Sequence, residues 1–231
     1  MKSKYWLILL STALVSCSKS LVYSPSLNLT TTPINKSDID IQGSLEMLPE
    51  TRPEELGGTP TTFGFNGQIS YGFSDRFNLT AKGWSDLQNR ENQNRTGFAL
   101  NGQFLKDLSA NNKLIVMPRI GIALSGNEVA GYGLGSSLIY QNIVNDKFSW
   151  YGGAGAVWGF RYLEKDLNHK NESKLPMGIG AIGNLGLSWQ CSYDFRINME
   201  INPTYQINTF DENSQFMIAP SFGIGYTIRN L

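Results

Sequence analysis

A chain of 231 residues with 19 basic and 19 acidic side chains has no net field to draw in nucleic acid, and its length needs no more than one domain. Only 16% of its residues are charged, against about 25% in an ordinary soluble domain, whereas 24 glycines and 12% aromatics favour strands and tight turns. Away from the N-terminus no apolar run approaches the roughly 20 residues of a spanning helix, which excludes a bundle of membrane helices. The first element is the N-terminal MKSKYWLILLSTALVSC. Lys2 and Lys4 form a basic head and Tyr5 to Val15 an apolar core too short to span as a helix, so residues 1–16 read as a secretory signal peptide.

The end of that signal, Leu14-Val15-Ser16-Cys17, resembles the lipobox of bacterial lipoprotein precursors. The resemblance implies that Cys17 is diacylglycerylated, becomes the first mature residue and holds the protein to a membrane, with lipoprotein-sorting machinery as a partner. The other readings of Cys17 are an ordinary signal peptide that happens to contain a cysteine, or a disulfide to Cys191. Residues 17–38 then form a lipidated tether. Ser18 to Ser37 are rich in Ser, Thr, Asn and Pro, lack a sustained period, and are expected to be disordered.

From Ile39 onward strict alternation dominates. In FGFNGQISYGF (63–73) Phe63, Phe65, Ile69, Tyr71 and Phe73 share one parity, while Asn66, Gln68 and Ser70 share the other. Read through to the end, the pattern gives strands at 39–47, 62–73, 76–86, 96–106, 112–125, 131–143, 147–163, 177–190, 193–208 and 215–229. Each is long enough for the ~9–11 residues of a tilted membrane strand. Long polar connections alternate with tight turns, the asymmetry of an outer-membrane barrel with outer loops and periplasmic turns.

Asp40, Glu46, Lys82, Arg119, Arg161, Asp194, Arg196 and Glu200 all fall on the parity shared with Asn and Gln. A lipid-facing wall demands this, because Arg or Lys at the bilayer midplane costs ~2–4 kcal/mol. The opposite rows hold Phe148, Trp150, Trp158, Phe160 and Tyr162, or Ile179, Leu185, Leu187 and Trp189. Aromatics near strand ends match interfacial girdles. The fold class expected is therefore all-β: a ten-stranded antiparallel up-and-down transmembrane β-barrel over 39–231. The alternatives are an eight-stranded barrel, or a lipocalin-like soluble barrel with its polar face outward.

Residues 39–231 resemble small outer-membrane β-barrel proteins in this architecture. The C-terminal FGIGYTIRNL resembles the signal read by the barrel-assembly machinery, with Gly223, Tyr226 and Ile228 in the matching places, although the chain ends in Arg229, Asn230 and Leu231.

For chemistry, the single histidine, His169, lies in DLNHKNES beside Asp166 and Glu172. A loop-borne His and carboxylate pair would suit an outer-membrane hydrolase, but no Ser or Asp row supplies a second half of a site. No phosphate loop, zinc-spaced Cys/His set or calcium loop occurs, and no cofactor is implied. The inward charges are read as a lumen network that largely plugs a narrow barrel, with inward Gly133, Gly135, Gly153, Gly155, Gly178 and Gly180 leaving space for a pore instead. The expected protein is a non-enzymatic, lipid-anchored structural or accessory component of the outer membrane that presents loops 49–61, 87–95 and 164–176 to a partner. A narrow pore for small polar ligands is the alternative.

Overall fold

The computed structural model describes residues 27–30, 34–48, 62–87, 95–125, 128–161, 177–208 and 214–229. Among them run ten strands: β1 (Ile39–Leu48), β2 (Thr62–Ser74), β3 (Phe77–Asp86), β4 (Arg95–Asp107), β5 (Asn112–Ser125), β6 (Glu128–Asn145), β7 (Phe148–Arg161), β8 (Met177–Gln190), β9 (Phe195–Asn208) and β10 (Ser214–Ile228). Each pairs antiparallel with its sequence neighbours, and β1 pairs with β10 from Ile39↔Ile228 to Glu46↔Ser221. The sheet thus closes as an up-and-down barrel and leaves no unpaired edge.

The strands lie close to the expected windows, and β5 and β8 coincide with theirs. β6 departs most, running from Glu128 to Asn145, because irregularities at Ala123/Leu124 and Ile143/Asn145 break the alternation while pairing continues across them. β9 starts two residues later than expected. Its first windowed residues, Tyr193 and Asp194, belong to the turn closed by the Cys191 and Ser192 N–H groups on the Phe195 carbonyl.

Tight turns at 75–76, 108–111, 146–147 and 191–194 gather at one end of the barrel, the turn end. The connections at the opposite, loop end are 49–61, 88–94, 126–127, 162–176 and 209–213. They lie outside the described residues, as do Cys17, the signal peptide, Asp166, His169 and Glu172.

Side-chain parity settles which face is which. Along β2, Phe63, Phe65, Ile69, Tyr71 and Phe73 are exposed and Asn66, Gln68 and Ser70 are buried. Along β9, Met199, Ile201 and Tyr205 are exposed while Arg196, Asn198, Glu200, Asn202 and Thr204 are buried. A continuous exterior of this composition would associate in water, whereas hydrocarbon solvates it. A lipocalin-like barrel has the opposite polarity, so the soluble alternative does not hold, nor does the eight-strand count. No helix of the described residues is long and apolar enough to cross a membrane. The crossing is made by strands.

Near the turn end the outer aromatics touch one another. Phe77 stacks on Phe104 at 4.8 Å between centroids, Tyr71 meets Phe73 edge-on at 4.9 Å, and Tyr140 lies 5.5 Å from Trp150. This is the amphipathic girdle expected at a membrane interface.

Candidate functional site

Among the described residues the buried polar and charged side chains line the lumen, where they form three groups. At the turn end, Arg196 of β9 passes across the inner face of β10 to reach Asp40 of β1. Its two terminal nitrogens donate to the two carboxylate oxygens at 2.5 Å, with Thr227 of β10 and the Gln42 amide donating to the same carboxylate at 2.8 Å. Both charged side chains are fully buried. The passage exists because residue 225 is glycine: a Cβ there would lie 2.5 Å from Nη2 of Arg196. The bidentate pair therefore spans the seam where the last strand meets the first.

The second group is not part of the barrel wall. Residues Leu27 to Thr30 lie inside the lumen, with Leu27, Asn28 and Leu29 buried. Glu200, toward the loop end from Arg196 and Asn198 on β9, accepts the N–H of Leu27 at 2.7 Å and that of Asn28. Tyr151 of β7 donates its hydroxyl to Glu200 and accepts the N–H of Leu29 at 3.3 Å. The Asn28 carbonyl takes Gln42 at 2.7 Å and Gln68 at 3.4 Å, and the Thr30 carbonyl takes Gln141 at 2.6 Å. Leu27 and Leu29 pack with Leu105, Ile115, Met117, Ile139 and the ring of Tyr151.

Asn28 holds φ 51°, a left-handed conformation that asparagine tolerates better than most residues. Tyr151 reaches Glu200 across β8 because residue 186 is glycine, where a Cβ would lie 2.2 Å from the ring. The chain returns to β1 at the turn end, where Ser37 N–H donates to the Gly72 carbonyl and Gly72 N–H to the Asp38 carbonyl. The free tether expected over Ser18 to Ser37 is thus corrected at 27–30 and 34–37. Leu-Asn-Leu finds an apolar pocket for its two leucines and buried donors and acceptors for its backbone, which offsets the entropy of ordering it.

Toward the loop end Glu46, Lys82 and Arg119 are buried, Arg119 donating to the Ser137 hydroxyl. Lys82 stands within the electrostatic reach of Glu46, Glu200 and Arg119. Among the described residues the buried acids are Asp38, Asp40, Glu46 and Glu200 and the buried bases Lys82, Arg119 and Arg196, so opposite charges largely offset one another inside the barrel. In the same part of the barrel Trp84 (β3), Ala99 (β4), Val157 (β7) and Ile182 (β8) meet as a buried apolar cluster with Ala123 against it. Trp84 lies flat over Gly97, where a Cβ would be 2.1 Å from the indole.

Of the eight charges singled out by parity, six face this lumen. Asp194 does not: it lies in the turn before β9, partly exposed, 3.6 Å from Arg229. Arg161 ends β7, and its side chain is outside the described residues. The glycines read as leaving space do not all do so, since a Cβ at Gly153 or Gly155 would come within 2.5 Å of the β6 backbone. Cys191 is an exposed free thiol in its turn. Among the described residues no group of His, Cys, Asp and Glu is placed to hold a metal ion.

No family model matches the chain, and no curated protein matches it by sequence. Solved structures match it by shape. An outer membrane channel of Pseudomonas putida F1 superposes with a TM-score of 0.52 at 8% identity, over 89% of this chain and 100% of that one. The outer membrane protease OmpT of Escherichia coli gives 0.44 at 10% identity over 89% and 100%, and the KdgM porin 0.41 at 11% over 82% and 99%. What the channel shares with this chain is the fold. At these identities the lumen residues must be read from this chain alone.

Sequence reasoning missed two features. The apolar cluster was hidden because Trp84, Val157 and Ile182 sit on the parity assigned to polar groups, and the lumenal segment was hidden in a Ser/Thr/Pro-rich stretch. The signal available for the latter was the short alternation Leu27-Asn28-Leu29.

Proposed function

We propose that this protein is a non-enzymatic component of the bacterial outer membrane whose barrel is closed rather than conducting, and which serves as a structural or accessory element presenting its loop end to a partner. The observation that supports this reading is the pair of buried clusters inside the barrel, one around Trp84 and one that includes Leu27 and Leu29. Small barrels are ordinarily filled, and a filled one offers no path to ions or solutes. The turn end is taken as periplasmic, after the general rule for such barrels. In planar bilayers the purified full-length protein is expected to be electrically silent across voltages that open porins. Steady conductance, altered in Arg119→Ala, would replace this reading with that of a pore.

The anchor belongs to the same proposal. From Cys17 to Leu27 the chain reaches at most about 33–36 Å when extended, enough to lead from mid-lumen to the turn-end face of the membrane. A diacylglyceryl group there sits in the periplasmic leaflet and fixes the end at which the N-terminus enters. Metabolic palmitate labelling is expected in the unaltered protein and absent in Cys17→Ser. Labelling that survives the substitution would remove the lipid from the reading and leave the closed barrel standing.

A further inference from the structure

Inside the barrel the segment Leu27–Thr30 is held by its main chain as well as by its leucines. Wall residues on separate strands address its main-chain groups. Glu200 takes two successive N–H groups, Gln42 and Gln68 donate to the Asn28 carbonyl, and Gln141 donates to that of Thr30. Selectivity enters at two places. Leu27 and Leu29 fill the apolar pocket beside Ile115, Met117 and Ile139, and the Asn28 amide donates to the Ser44 hydroxyl at 2.9 Å.

A buried carboxylate taking two successive amide hydrogens beside a left-handed residue, with carboxamides aimed at the carbonyls, holds a peptide turn by its main chain. We propose that the lumen is a peptide-binding site entered from the turn end, selective for an apolar-Asn-apolar segment, and that Leu27–Thr30 is its tethered ligand. A partner segment of the same pattern would compete for the site. This goes beyond the closed-barrel reading, and the two fail separately: conductance of the unaltered protein bears on that reading, peptide binding on this one.

The test uses the full chain carrying Asn28→Pro. Proline lacks the N–H that Glu200 accepts and cannot adopt φ 51°, so the tethered copy is released while the wall is untouched. Folding is verified by heat-modifiable migration in detergent micelles. The probe is a fluorescent synthetic peptide of residues 25–31, PSLNLTT, followed by anisotropy.

Saturable binding to the Asn28→Pro protein is expected, and binding at least about 100-fold weaker to the unaltered chain, where the tethered copy competes at millimolar effective concentration. Adding Glu200→Gln should weaken binding about tenfold or more, as loss of charge-assisted hydrogen bonds does. Absence of saturable binding to the folded variant, or indifference to Glu200→Gln, would overturn the proposal. The pair Leu27→Ser and Leu29→Ser, which keeps the backbone and empties the apolar pocket, gives a second route to release. If neither variant yields the folded form, the segment is core and not ligand, and the proposal falls as well.

Discussion

Exchange of Arg196 for alanine is expected to lower the unfolding free energy of the barrel by about 3–5 kcal/mol, the usual cost of leaving one partner of a buried ion pair without the other. Asp40 would keep only the Thr227 hydroxyl and the Gln42 amide as donors, in a site fully closed to solvent. The loss falls at the β1–β10 seam, where closure joins the chain ends. Arg196→Lys should recover only part of it, because an ammonium retains the charge but not the two parallel bonds to Oδ1 and Oδ2.

Replacing Asp40 and Arg196 together by leucine and methionine should restore most of the stability, since the cost lies in the orphaned charge and not in the absence of a pair. Urea titration in detergent or lipid, read by the gel shift between folded and unfolded forms, measures all three variants. A midpoint change equivalent to less than about 1 kcal/mol in Arg196→Ala would mean that the rim is wet and the pair behaves like a surface one.

Much of the barrel was legible because a membrane wall imposes a stricter code than a soluble core. Each strand must alternate, and an outward charge is penalised wherever it falls in the hydrocarbon, so Phe63, Phe65 and Ile69 against Asn66 and Gln68 already fix a face. The lumen obeys no such code. Trp84 and Glu46 are both inward and both buried, and nothing in their own windows distinguishes a residue that seals from one that pairs.

Cross-lumen contacts were illegible for a further reason. They join residues far apart in sequence, such as Arg196 with Asp40, and depend on a third position, Gly225, having no side chain. Glycine in a strand reads from sequence as space, whereas here Gly225, Gly186 and Gly97 are each covered by a large neighbouring side chain. Asp194 was misassigned because alternation continues through the turn by chance, while the backbone bonds of Cys191 and Ser192 to Phe195 start the strand later.

If the Trp84 cluster and Leu27–Thr30 each seal the lumen, as proposed, two variants together give a result that neither gives alone. Trp84→Ala removes the indole that covers Gly97 and meets Ala99, Val157 and Ile182, at a cost of about 3–5 kcal/mol for a large aromatic truncated in a packed layer. Leu27–Thr30 still blocks the lumen. Asn28→Pro releases that segment but leaves the Trp84 layer intact. Both single variants should therefore be as silent in a planar bilayer as the unaltered protein, and the double variant Trp84→Ala/Asn28→Pro should conduct.

Because the buried acids Asp38, Asp40, Glu46 and Glu200 nearly offset Lys82, Arg119 and Arg196, the opened path should discriminate weakly between cations and anions. Conductance in Trp84→Ala alone would show that the N-terminal segment is no seal, and conductance in Asn28→Pro alone that the aromatic layer is none. A silent double variant, once shown to be folded, would mean that the buried charges and amides around Arg119 and Asn202 close the barrel by themselves, and that both layers contribute stability rather than closure.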